Sequence, residues 1–192
     1  GGENGCWWDA DIQVTRGDGL NDSELHKVVG RAMARVEKIR RLEFQRDVPV
    51  EVVSRAQHRE EFAAQYDLST DAALRENVVL EGAMLVGENE SAVAAQKELF
   101  GSATLGYYDP ATGNITIVSE NATTPKIDEI TLSQELFHAL QDERWNISSY
   151  DRTTWEDINA INGIIEGDGN YVDHLYKQRC RDSWDCLERR TQ

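Results

Sequence analysis

The stretch Gln134-Glu135-Leu136-Phe137-His138 constrains this chain more than any other, because its polar residues work together only on a helix. Positions 134 and 138 lie one turn apart, so both side chains leave the same face, with Glu135 beside them. Such a face needs a second element opposite it. Glu166-Gly167-Asp168 lies 28 positions beyond His138, enough for a turn and a returning helix. Small residues at 167 and 169 let that helix pack closely. The first helix is expected to be capped by Thr124, with Pro125 in its first turn and Asp128 and Glu129 at the positive end of its dipole, and to run to about Arg144. The second is expected to open at Thr153-Thr-Trp-Glu156. Its apolar face reads as Ile158, Ile161, Ile164 and Ile165, then Val172 and Leu175.

The block Thr131-Leu-Ser-Gln-Glu-Leu-Phe-His-Ala-Leu-Gln-Asp142 resembles the active-site helix of the zincin superfamily, in its gluzincin branch. In that pattern, H-E-x-x-H, two histidines grip one Zn²⁺, the glutamate between them activates a zinc-bound water, and a glutamate on a later helix is the third ligand. The resemblance implies Glu135 as general base and His138 and Glu166 as metal ligands, with Gln134 where the first histidine would stand. Asp168 and Asp173 are expected as supporting acids, and His174 is an alternative ligand two turns past Glu166. Roughly forty residues carry peptidase-type motifs. More broadly, Glu3-Asn-Gly-Cys-Trp-Trp-Asp9 and Gly19-Leu-Asn-Asp-Ser-Glu24 are similar to cell-surface proteins of halophilic archaea that carry a gluzincin-like domain.

Gln134 decides the chemistry. An amide oxygen is a neutral, poor zinc donor beside an imidazole. Without a metal, water keeps a pKa near ~15.7 rather than ~7, and Glu135 has little to activate. The expectation is a zinc site that is weak or absent. The segment then acts by binding an extended peptide or a surface partner in a cleft beside a hairpin. A working zinc-dependent metallopeptidase and a structural envelope protein are the alternatives.

Composition narrows the partners. The formal net charge is −15, so nucleic acid, which needs clustered Lys and Arg, is excluded as a partner. Five lysines stand against fifteen arginines. Acid richness with little lysine suits high salt, where screening removes self-repulsion. No run of eighteen apolar residues exists, so no membrane-spanning segment is expected. Five of the ten asparagines (Asn21, Asn89, Asn114, Asn121 and Asn146) stand in N-x-[ST] sequons, where chance would place roughly one. An extracellular or cell-surface location follows. Cys180 and Cys186 bracket a short acidic loop and are placed to close a disulfide, with Cys6 left over.

The remaining elements fill in a single α+β domain over residues 1–192, with an irregular arm at 1–20 and a tail at 178–192. Asn21 to Glu24 caps a helix that reaches about Arg41, and residues 47–53 alternate as a strand. Helices are expected at 58–66, 71–86 and 91–100. Residues 103–108 and 114–118 form a hairpin around Asp109-Pro-Ala-Thr-Gly113. The fold class is zincin-like: a small sheet, its hairpin next to the active-site helix, and a helical C-terminal half.

Overall fold

The computed structural model describes residues 20–65, 92–187 and the single position 78. The arm at 1–19 and the helix expected at 71–86 therefore fall outside the described residues. The architecture is α+β, a small three-stranded sheet with a helical C-terminal half. The chain divides into two compact units, Gly1–Val52 with Leu105–Gln192, and Val53–Thr104.

In the larger unit the first helix, α1 (Asp22–Arg40), starts where the sequence places it. Asn21 accepts the Glu24 N–H while Glu24 reaches back to the Asn21 N–H, a reciprocal cap. It stops at Arg41, which sits in the left-handed region at φ 55°. Its inward face is Val28, Ala32 and Val36, and also Arg31 and Arg35. Strand β1 (Val50–Ser54) follows. After the second unit, β2 (Gly106–Asp109) and β3 (Asn114–Ser119) form the expected hairpin, with Gly113 turning at φ +75°. The sheet order β1-β3-β2 leaves β3 in the centre and β2 at an edge. Accordingly Ile115 and Val118 of β3 are buried, while Tyr107 and Tyr108 of β2 are only partly covered.

Helix α4 (Glu129–Trp145) is the centre of this unit and packs against α1, β2, β3 and the C-terminal helix, α5 (Trp155–Asp182). Leu132, Leu136, Phe137 and Leu140 are fully buried, each contributing about 1.5–3 kcal/mol by leaving water. Its cap is Asp128, which accepts the Ile130 N–H, and not Thr124. Pro125 lies outside the helix, where its carbonyl accepts the Leu20 N–H. After a 3₁₀ turn, α5 (Trp155–Asp182) begins one residue later than the capping signature suggested, with Thr154 and Asp157 as the reciprocal pair. It runs past the 178 boundary drawn from the sequence. Ile165, Gly169, Val172 and Tyr176 make its buried stripe; Ile164, assigned to that face, is 73% exposed.

A buried ionic cluster ties α1, α4 and α5 together. Glu129 is fully buried and accepts from Arg31 Nη2 at 2.6 Å, Arg35 Nη1 at 2.7 Å and the Tyr176 hydroxyl at 2.6 Å. The Cys180–Cys186 disulfide has formed. It folds residues 183–187 back, so that Leu187 exchanges two hydrogen bonds with Glu129 and Trp184 stacks on the Arg35 guanidinium at 4.7 Å. Burial and the Glu129 charge push the Tyr176 phenol up.

The smaller unit holds α2 (Arg55–Gln65) and α3 (Ala92–Ala103). Arg55 donates to the carbonyls of Ser102 and Thr104, and Phe62 meets Phe100 with ring centroids 6.0 Å apart. No helix among the described residues is long and apolar enough to cross a membrane.

Candidate functional site

The site forms where the middle of α4 faces the middle of α5. His138 Nε2 lies 3.7 Å from Glu166 Oε2, an ion-pair distance longer than a direct hydrogen bond. Gly169, one turn after Glu166, permits this approach. A Cβ there would fall 2.9 Å from His138 Cε1 and 3.6 Å from Gln134 Cγ. Gly167 has no such duty: its Cβ would meet nothing within 4 Å among the described residues.

Gln141 orients the imidazole. Its amide nitrogen donates to the Ile165 carbonyl at 3.2 Å, which can only accept, so its amide oxygen must be the atom 2.8 Å from His138 Nδ1. Nδ1 therefore carries a proton, and Nε2 is the atom that addresses Glu166. Gln141 was not singled out from the sequence. The signal was present, since position 141 shares the helix face of 134 and 138.

Glu135 also reaches the sheet. Its carboxylate accepts the Tyr108 N–H at 3.0 Å, and Asp142, two turns on, accepts the Tyr108 hydroxyl at 2.9 Å. These two acids grip one residue of β2 at both ends and set the hairpin on α4. Burial and then Asp142 push the Tyr108 phenol up.

The electrostatics follow from the burial. Desolvation raises the Glu135 carboxyl from 4.5 to about 7, against the lowering pull of the His138 charge and the Tyr108 N–H. Burial alone would lower the His138 imidazole. The Glu166 carboxylate, the Glu135 charge and the Gln141 oxygen outweigh it and raise it. Facing that imidazole holds the Glu166 carboxyl below its ordinary value. A proton on His138 is thus stabilised from three sides.

Of the predicted site residues, His138, Glu166 and Glu135 are brought together, and Gln134 lies beside them against Gly169. Asp168 goes elsewhere, to a bidentate pair with Arg40 at 2.7 and 2.8 Å. Asp173 pairs with Lys177, and His174 is exposed on the outer face of α5. Zinc needs three protein donors of the imidazole, thiolate or carboxylate kind. Here one imidazole faces one carboxylate, and the third position is a neutral amide. Among the described residues no group of three or more His, Cys, Asp or Glu is arranged to hold a metal ion. One imidazole and one carboxylate beside a neutral amide leave the set one donor short of an ordinary zinc site, while the Glu166 carboxylate favours a proton on His138.

No protein-family model, no curated protein and no solved structure matches this chain.

Proposed function

We propose that this chain is a zincin-like, gluzincin-type protein of the cell surface that binds an extended peptide and does not cut it. The observation that carries the reading is the Glu135–Tyr108 hydrogen bond. A hydrolytic base must face a water; this carboxylate is held against the backbone of the edge strand. The strand beside it suits a peptide. Val118 N–H donates to the Leu105 carbonyl, so in the antiparallel alternation Leu105 and Tyr107 turn to β3 while Gly106 and Tyr108 turn outward. Glu135 occupies the outward N–H of Tyr108. The N–H and carbonyl of Gly106 and the carbonyl of Tyr108 face away from β3 and, among the described residues, are left for a peptide laid along β2. Gly106 lets the strand lie close to its neighbours, since a Cβ there would fall 3.1 Å from the Thr116 carbonyl oxygen and 3.8 Å from Glu135 Cγ.

The surface supports an outward-facing location. Asn21, Asn121 and Asn146 of the sequon asparagines are exposed, whereas the sequon of Asn114 has its threonine, Thr116, buried in the sheet. With the acid excess, this favours a glycosylated protein working in high salt.

The test is metal content and peptide capture on one preparation. Chain purified without chelator is assayed for zinc by mass spectrometry, and its backbone amides are followed by NMR as unstructured peptides are added. Expected are sub-stoichiometric zinc, no cleavage, and shifts confined to Gly106–Asp109 and the facing turns of α4. Stoichiometric zinc with chelator-sensitive cleavage would make it a metallopeptidase instead. Peptides that shift nothing on β2 would remove the binding role.

A further inference from the structure

Four of the sequon asparagines, Asn21, Asn114, Asn121 and Asn146, are among the described residues. A sequon accepts sugar only where a transferase can hold the asparagine amide and the hydroxyl two residues on together, on chain not locked into a helix or sheet. The fold separates the four on that ground.

Three are committed to structure. Asn21 caps α1: its Oδ1 accepts the Glu24 N–H at 3.0 Å, its own N–H donates to Glu24 at 2.8 Å, and Ser23 is already inside the helix. Asn114 opens β3, and the Thr116 of its sequon is 4% exposed, with its hydroxyl donating to Glu51 at 2.9 Å. Asn146 ends α4 in the left-handed region. The middle residue of its sequon, Ile147, is buried, and the Ser148 hydroxyl turns back to donate to Asn146 Oδ1 at 3.1 Å.

Asn121 differs in each respect. Residues 120–124, between β3 and α4, are all exposed and belong to no helix or strand. The base of this loop is closed, because the Lys126 N–H donates to Ser119 Oγ at 3.2 Å and the Leu20 N–H to the Pro125 carbonyl at 2.9 Å. Within the loop Asn121 Oδ1 accepts the N–H of Thr123 at 2.9 Å and of Thr124 at 3.3 Å. Both groups can only donate, so the oxygen is fixed toward the chain and Nδ2, the atom that takes a sugar, faces away from them. The sequon hydroxyl, on Thr123, stands on the same exposed turn.

We infer that Asn121 is the glycan acceptor of the folded chain, modified in preference to Asn21, Asn114 and Asn146. The donor class is an oligosaccharide joined through its anomeric carbon to a polyprenyl pyrophosphate. Nδ2 forms a bond to that carbon, the carbon–oxygen bond to the pyrophosphate breaks, the lipid pyrophosphate leaves, and the amide proton passes to a base of the transferase. The inference rests on the surface location proposed above for the chain to meet such an enzyme; the choice among sequons rests on the loop.

The test combines the full, unglycosylated 192-residue chain with a purified oligosaccharyl transferase and its lipid-linked oligosaccharide, read by glycopeptide mass spectrometry. Tryptic peptides of the same chain, in which every sequon is unfolded, are the control that the enzyme accepts them. Expected is sugar on Asn121 of the folded chain ahead of the other three, lost in Thr123→Ala and kept in Thr123→Ser. Both substitutions retain the backbone N–H that Asn121 accepts, so circular dichroism should not move. A folded chain that takes no sugar at Asn121, or takes it first at Asn21, Asn114 or Asn146, overturns the inference. The reaction runs outside the cell, so a chain that accepts sugar at Asn121 there but carries none in its own cells refutes the surface location and keeps the acceptor.

Discussion

Replacing Glu135 by glutamine should make the protein more stable, and the gain should depend on pH. The wild-type carboxyl titrates near 7 in the folded chain against 4.5 in the open one, because burial disfavours its charge. The native state then holds a proton that the unfolded state releases, so stability falls as pH rises through this window. Below about pH 4.5 both states are protonated and nothing is lost; above about pH 7 both are ionised and the full penalty is present. The shift corresponds to about 3 kcal/mol, and partial solvent contact reduces the expectation to about 2–3 kcal/mol. Glutamine keeps an oxygen for the Tyr108 N–H and has no charge to desolvate. His138 is raised as well, so its stabilising contribution is present at low pH and lost on the alkaline side, with the same slope. Part of that slope also disappears in the variant, because the Glu135 charge is one of its causes. Urea denaturation of both proteins between about pH 4 and about pH 8 reads the effect directly. The curves should coincide at the acid end and separate in favour of Glu135→Gln by about 2–3 kcal/mol at the alkaline end. Parallel curves would refute a desolvated carboxyl at position 135.

Four further outcomes follow from the packing. Glu129→Gln removes the carboxylate charge that Arg31 and Arg35 share in the core and should cost about 3–5 kcal/mol, read from the urea midpoint, while Tyr176→Phe, which removes one hydrogen bond, should cost about 1–2 kcal/mol. Gly169→Ala should destabilise by about 1–3 kcal/mol and shift the His138 ring resonances, because its Cβ would meet the imidazole. Opening the Cys180–Cys186 bridge as a double serine variant should cost about 2–3 kcal/mol and expose Trp184, seen as a red shift of its fluorescence.

The sequence alone carried several local elements. The Asn21–Glu24 cap, the hairpin around Asp109–Gly113 and the disulfide spacing are local signals, set within a few residues, and each appears in the structure. The spacing of Glu135 and His138 from Glu166 also required two facing helices, and they form. What pairs with what was decided in three dimensions. Arg31 and Arg35 lie on the apolar face of α1 because Glu129, 98 and 94 residues away, neutralises them there; no window of sequence contains that partner. Asp168 turns to Arg40 on another helix, and Gln141 bridges His138 to α5. Thr124 yields the helix cap to Asp128 because the non-helical residues 125–127 are held by the Leu20 N–H on the Pro125 carbonyl and by burial of Ile127. Local hydrogen-bond chemistry starts and stops each helix, whereas a buried charge takes whichever opposite charge the packing brings within about 3 Å, and only the assembled core determines which one that is.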